Sequence, residues 1–269
     1  MKHYPIVLSI AGSSCIGEAG IQADARTILA LGAYPTTVIT AIAVQDRTGI
    51  KSTHEIPADV IRSQIEFVME GIFPDVVKIG LIGSAKAAKT IADSLRKYHP
   101  KYVVYDPVLL TSGGLNIPDE ETMKIIEDEL LRYTNLMTIN LAEAELFGKM
   151  EISTTDDLKE VSRILAERYR IPVLCKGANF LSENTYDTLH IPDGVNWEYI
   201  GERINTNNMH GASTIFSAAI ATKLASGEKL NTAIKDAREF IEEEIIKGNK
   251  DIDNILTPVR MQVYSSNRY

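Results

Sequence analysis

The chain has 269 residues, enough to bury a large core as one big α/β domain or two small ones. Hydrophobic residues make up 45% and charged residues 24%, the profile of an ordinary globular protein. A formal net charge of −8 argues against a nucleic-acid or anionic-membrane surface, since both need clustered Lys and Arg, but leaves room for a phosphate site built on backbone amides and one Lys.

In chain order, Ile6 to Ala11 is a short apolar run that stops at Gly12, as a buried parallel strand would. It is too short to span a membrane, and no signal-peptide cleavage pattern precedes the small-residue loop that follows it, Gly12 to Gly20. Cys15 in that loop and the distant Cys175 have no metal-ligand spacing. Each is expected to be a small core or pocket residue in a reducing, cytoplasmic setting. Ile21 to Leu31 has helical spacing and ends at Gly32. Thr36 to Val44 is β-rich and ends in Gln45-Asp46-Arg47. Pro57 opens a helix with Ile61, Ile65, Val68 and Ile72 as its apolar stripe, and Val76 to Gly80 is the next strand.

Ser84 caps a helix running past Ile91 and Leu95, and Tyr102 to Tyr105 leads into Asp106-Pro107 and a loop over Thr111 to Asn116. Pro118 to Glu121 starts a helix with acids in its first turn, where the dipole favours them. The strand Leu136 to Ile139 ends at Asn140, and a short helix carries Glu143 towards Gly148. A helix spans Thr155 to Tyr169, before the strand Pro172 to Lys176 and Gly177. Short strands with turns are expected from Tyr186 to Ile204, then two helices, one after Gly211 and one from Asn231 to Lys247. Alternation of strand and helix predicts one domain over 1–269 with a mostly parallel sheet covered on both faces, and a tail after Asp251 that is a surface strap or partly loose.

In such a sheet, ligands bind at the carboxyl ends of the strands. That rule selects Gly12 with its loop, Gln45, Gly80-Leu81, Asp106, Asn140 with Glu143, Lys176-Gly177 and the stretch beginning at Asn207, through Thr214. Acids can hold Mg²⁺ on phosphate oxygens while a Lys and a helix N-terminus neutralise the phosphates, which points to nucleotide-dependent phosphoryl transfer. Taken singly, each residue has a structural reading: Asp106-Pro107 a turn, Asn140 with Glu143 a helix cap, Lys176 a solvated strand end. Their joint placement at strand ends favours function.

The residues also match a family over nearly the whole chain. Ser9 to Ser13, Ala19 to Asp24, Leu31 to Tyr34, Val38 to Ala41, Val44-Gln45, Lys78 to Gly80, Asp106 to Val108, Asn140 to Glu145, Lys176-Gly177, His210-Gly211 and Ser217 to Ala219 resemble the hydroxymethylpyrimidine/phosphomethylpyrimidine kinases of thiamine biosynthesis, within the ribokinase-like superfamily. The resemblance implies an α/β three-layer sandwich and an ATP- and Mg²⁺-dependent homodimeric kinase acting on a heterocyclic alcohol or its phosphate. Carried over by position, Gly12, Ala19, Gln45 and Val108 line the pyrimidine pocket. Asp106, Asn140 and Glu143 organise Mg²⁺ and triphosphate, with Asp106 and Glu143 as metal ligands. Lys176 contacts phosphate beside Gly177, and Gly211, Ala212, Ser213 and Thr214 form the anion hole.

The departures cluster at that hole and around the acceptor. Thr214 stands where the family has Cys and the superfamily Asp, and an alcohol is a poor proton acceptor. Ser213 replaces a Gly, Ser14 an Asp, Ile16 a Ser, Glu18 a Gly, Asp46 an Asn and Thr111 a Lys. A Glu18 carboxylate is expected to repel an anionic substrate. Three readings follow: a working kinase of this family, a pyridoxal or pyridoxine kinase, or an impaired relative that binds nucleotide or heterocycle as a sensor or partner subunit.

Overall fold

The computed structural model describes residues 4–46, 49–109, 118–177, 183–204 and 211–251. Expectations for the loop over Thr111 to Asn116, for Asn207 to His210 and for the tail after 251 lie outside these residues. The sheet has nine strands in the order β3-β2-β1-β4-β5-β6-β7-β8-β9. These are β1 (Ile6–Ser14), β2 (Tyr34–Asp46), β3 (Gly49–Glu55), β4 (Val76–Ile79), β5 (Val103–Tyr105), β6 (Leu136–Asn140), β7 (Val173–Lys176), β8 (Asn184–Ile191) and β9 (Val195–Glu202). β2-β1-β4-β5-β6-β7 are parallel, while β3 and the β8–β9 pair are antiparallel.

Helices cover both faces. α1 (Gly20–Ala30), α7 (Ala212–Ala225) and α8 (Leu230–Asp251) pack on one side through Ile28, Ile215, Ile220, Ile234 and Ile241. On the other lie α2 (Ala58–Gly71), α3 (Ala85–Tyr98), α4 (Glu120–Ile125, continued by a π turn at Ile126–Leu130), α5 (Leu141–Gly148) and α6 (Thr155–Tyr169), through Ile61, Ile91, Ile126, Phe147 and Leu165. The central strands β4 to β7 are apolar on both faces because both are covered. Their charged exceptions, Lys78 and Lys176, therefore mark something other than packing.

Among the described residues, four of the eight α-helices start on a side-chain cap written into the local sequence. Ser84 accepts from the Ala87 N–H, Asp119 from Thr122, and Thr154 forms a capping box with Asp157. Four details differ from expectation. β1 does not stop at Gly12 but runs to Ser14, with its pairing to β2 shifting between Ala11 and Ser13. β3 pairs back onto β2 as an edge hairpin, and its Lys51, Ser52 and Thr53 gave no hydrophobic period to find it by. The region expected as short strands is two eight-residue strands turning at Pro192 to Gly194. On α2 the buried stripe is Ile61, Ile65 and Met69, and Ile72, just beyond the helix, is 44% exposed.

Candidate active site

The carboxyl ends of the parallel strands open into a cavity of about 450 Å³. At one end, Gly12 on β1, Ala19 before α1 and Gln45 on β2 meet Val108 after β5. In the middle lie Asp106, Asn140, Glu143, Lys176 and the start of α7, Gly211 to Thr214. Among the described residues, the sheet thus brings together every site residue expected from the sequence except Gly177. That residue's N–H is instead donated to the Tyr186 carbonyl at 2.8 Å and to Asp187 Oδ1 at 3.0 Å.

Two glycines set how closely the walls approach. Gly20 has φ +63°, and a Cβ there would stand 2.1 Å from the Gly12 carbonyl oxygen. Gly211 has φ +80°, and a Cβ there would stand 1.9 Å from the Glu18 carbonyl oxygen. Neither position has space or backbone freedom for a side chain. Gly211 lets the start of α7 lie against the Glu18 backbone just before α1, and Gly211 to Thr214 line the cavity at a helix start whose first N–H groups have no partner within the helix. The acceptor end is neutral: Ser14 donates to Gln45 Oε1 at 3.1 Å, and Gln22 bridges the Ser14 N–H and Ser13 Oγ.

The middle is charged. Lys176 Nζ donates to Asp106 Oδ1 at 2.7 Å and to Ser213 Oγ at 2.5 Å. Asp106 also accepts from Thr138 at 2.8 Å and, on its other oxygen, from Ser217 at 2.9 Å. Burial alone would push the Asp106 carboxyl up, but Lys176, Lys78 and the hydrogen bonds outweigh it and hold the carboxyl below its ordinary value. Lys176 is buried, so the solvated-lysine reading fails.

Asn140 and Glu143 form a capping box: Asn140 Oδ1 accepts from the Glu143 N–H, and Glu143 Oε2 from the Asn140 N–H. The structural reading of this pair holds, and both residues still line the cavity. Glu143 is pushed up to about 7, chiefly by burial, with Lys176 opposing and the Asp106 charge adding to the rise.

The chain is matched over residues 15–260 by the phosphomethylpyrimidine kinase family model. It belongs to that family. A thiamine biosynthesis bifunctional protein ThiED from Geobacter sulfurreducens is 36% identical over 236 residues, or 87% of this chain and 48% of that protein. The chain therefore spans about half the length of this bifunctional relative. A hydroxymethylpyrimidine/phosphomethylpyrimidine kinase from Haemophilus influenzae is 32% identical over 244 residues, covering 90% of this chain and 91% of the relative. In three dimensions, Bacillus subtilis pyridoxal kinase, solved as an ADP complex, matches with a TM-score of 0.83 at 30% identity over 90% of this chain and 92% of its own. The ribokinase-like three-layer fold expected from the sequence is the fold observed.

Within that family frame, several departures take on a physical meaning. Ser213 sits inside α7, outside the left-handed region, so its substitution for Gly carries no backbone strain; Gly211 alone supplies the positive φ. Glu18 is buried and is absent from the cavity wall. Its charge faces Arg26, whose guanidinium is lowered by burial and supported by Glu18. Arg26 is thus a cation beside the carboxylate expected to repel an anionic substrate. Cys15, expected in core or pocket, is exposed and donates its S–H to the Gln45 carbonyl at 3.2 Å.

Sequence reasoning missed three groups. Ile50 on β3 closes the acceptor end. Lys78 lines the floor and pairs with Asp24 at 3.0 Å, both fully buried; a Lys inside the apolar run Val76-Val77-Lys78-Ile79 was the available signal. Asp187 and Arg238 line the far end and pair at 2.7 Å, but lie 51 residues apart with no local pattern.

Proposed function

We propose that this family member transfers the γ-phosphoryl group of ATP to hydroxymethylpyrimidine, to its monophosphate, or to a related heterocyclic alcohol, as a single-domain homodimeric cytoplasmic enzyme. The observation that carries this reading is Lys176 held between Asp106 and the first turn of α7, inside one cavity with the neutral Gln45 pocket. Gln45 would read the hydrogen-bonding edge of the ring. Ala19 and Val108 would pack against it, and Gly12 would let it approach the backbone. Lys176 and the N–H groups of Gly211 to Thr214 would neutralise charge on the transferring group.

Asp106 and Glu143 fit Mg²⁺. The cation is commonly held by one or two carboxylates plus substrate phosphates, and Glu143 is raised chiefly by burial, with the Asp106 charge adding to the rise and Lys176 opposing it. Mg²⁺ bound there would neutralise the phosphates. Among the described residues there is no group of three or more His, Cys, Asp or Glu that could hold a metal ion. Thr214, buried on the wall, cannot supply a strong base. Positioning and charge neutralisation are what remain to support transfer, because a general base typically contributes about 10²–10⁴-fold.

The test is ATP consumption with hydroxymethylpyrimidine, with its monophosphate and with pyridoxal, in Mg²⁺, using Lys176→Ala as the control. Turnover on a pyrimidine, lost in the control, supports the reading. Turnover on pyridoxal alone transfers it to the chemistry of the Bacillus subtilis neighbour. Ligand-induced melting shifts without turnover would leave a binding protein.

A further inference from the structure

Helix α8 is remote in sequence from every strand end, yet it reaches the cavity. Arg238, near its middle, is buried, and all five of its N–H groups are engaged. Nη1 donates to Asp187 Oδ2 at 2.7 Å and to the Tyr199 carbonyl at 2.6 Å. Nη2 donates to Thr185 Oγ1 and to the Thr185 carbonyl, and Nε to Glu242 Oε1 at 3.2 Å. One guanidinium therefore ties α8 to both strands of the β8–β9 hairpin.

Asp187 does not end the chain of contacts. Its second oxygen, Oδ1, accepts from the Gly177 N–H at 3.0 Å, and Asp187 is the register partner of Lys176 across the β7–β8 pairing. Lys176 in turn holds Asp106 and Ser213. A series of contacts runs from α8 to the first turn of α7: Arg238 to Asp187, Asp187 to the Gly177 amide, then through the backbone to Lys176 and on to Asp106 and Ser213. The Asp187 carboxylate bridges two donors, Arg238 Nη1 on one oxygen and the Gly177 N–H on the other, which fixes its orientation as well as its position.

We propose that Arg238 and Asp187 are positioning residues that hold the Lys176–Gly177 turn in register with the nucleotide phosphates, making α8 part of the active site. The proposal rests on the reading of Lys176 as a phosphate ligand. An ion pair serving only to pin α8 to the hairpin would need neither Oδ1 on the Gly177 amide nor placement on the cavity wall.

The experiment compares the full chain with Asp187→Ala, Asp187→Asn and Arg238→Gln, by calorimetric binding of magnesium ADP and by kcat and KM for each substrate. Misplacement by about 1 Å costs on the order of 100-fold in well-organised sites. The expected result for Asp187→Ala and Arg238→Gln is at least a tenfold loss in kcat/KM for ATP with the KM of the acceptor within twofold. Asp187→Asn keeps an oxygen for Gly177 and is expected to lose less than Asp187→Ala. It carries the test if the other two fail to fold, with a three- to tenfold rise in KM for ATP. Variants that melt earlier but keep wild-type kcat and KM for ATP overturn the relay and leave a structural clamp. A wild-type chain that binds no magnesium nucleotide overturns the kinase reading and the relay with it. Wild-type binding matched by all variants overturns the relay alone.

Discussion

Two buried Lys–Asp pairs stand under the same cavity and behave in opposite ways. Lys78 and Asp24 approach to 3.0 Å and Lys176 and Asp106 to 2.7 Å, with all four side chains at most 8% exposed. Asp24 is raised above the ordinary carboxylate value: burial dominates, and Lys78 with the Ser9 hydroxyl at 2.5 Å only partly offsets it. Asp106 is lowered, because burial is outweighed by two lysines and by side-chain donors from Lys176 and Thr138. The lesson is that an ion pair alone does not fix the charge of a buried acid; the number of donors around it does. The first pair is the closed one: Lys78 reaches the cavity floor, but Asp24 is fully buried and absent from the lining. The second is tied to α7, where a ligand can compete for its lysine.

Breaking the open pair should have the largest effect. Lys176→Ala removes the cation nearest the anion hole and leaves Asp106 buried with fewer donors. Loss of one such electrostatic group typically costs about 10²–10³ in kcat, and an uncompensated buried charge costs roughly 3–5 kcal/mol in stability. Steady-state assays with urea titrations read both. A variant that retained kcat within tenfold would remove Lys176 from the phosphate chemistry.

Breaking the closed pair should act on the fold instead. Lys78→Met leaves Asp24 unpaired in the core, with a loss of about 3–5 kcal/mol in unfolding free energy, while kcat changes by less than tenfold. Adding Asp24→Asn should return a large part of the stability, since no buried charge then remains. If Lys78→Met instead lowers kcat as far as Lys176→Ala does, the distinction between the two pairs collapses.

The third effect is a pH dependence. Glu143 has an ordinary value near 4.5 and is pushed up to about 7, chiefly by burial. The folded state therefore holds the proton more tightly than the unfolded chain. The associated stability, on the order of 3 kcal/mol, is complete below about pH 4.5 and is lost as pH rises through 7. Urea midpoints between pH 4 and 8 should fall more steeply for wild type than for Glu143→Gln. Saturating magnesium nucleotide should flatten the wild-type slope by favouring the carboxylate. Equal slopes in wild type and Glu143→Gln would show that Glu143 does not titrate in this range.

The sheet's parallel core and its strand-end residues were legible because their signals are local. Apolar runs ended in polar residues at Gln45, Asp106, Asn140 and Lys176, and the rule that parallel strands present ligands at those ends needs no tertiary knowledge. The helix over Thr155–Tyr169 was legible because Thr154 and Asp157 write its start into the sequence. What stayed hidden depends on contacts between distant segments. The polar β3 becomes a strand only against β2, and Ile50 reaches the cavity only through that hairpin. The Arg238–Asp187 bond joins a helix to a strand with no motif at either end, and Glu18 looked repulsive because its neighbour Arg26 is a helical turn or two further on.

The smallest expected effect tests how open the second pair is. Ser213 Oγ takes a Lys176 N–H at 2.5 Å and reaches Asp106 at 3.4 Å, so the hydroxyl occupies a donor that a phosphate oxygen would otherwise receive. Ser213→Gly frees that donor without altering any positive φ. A glycine in the first turn of α7 costs under about 1 kcal/mol of helix stability. A hydrogen bond is worth about 0.5–1.5 kcal/mol net, so KM for ATP should fall two- to tenfold with a slightly lower melting temperature. A rise in KM would reverse the assignment: the hydroxyl would then be a phosphate ligand in its own right, and the serine a gain of function at the anion hole rather than an occupant of it. Because the backbone at 213 is ordinary helix, either outcome reports on the hydroxyl rather than on strain.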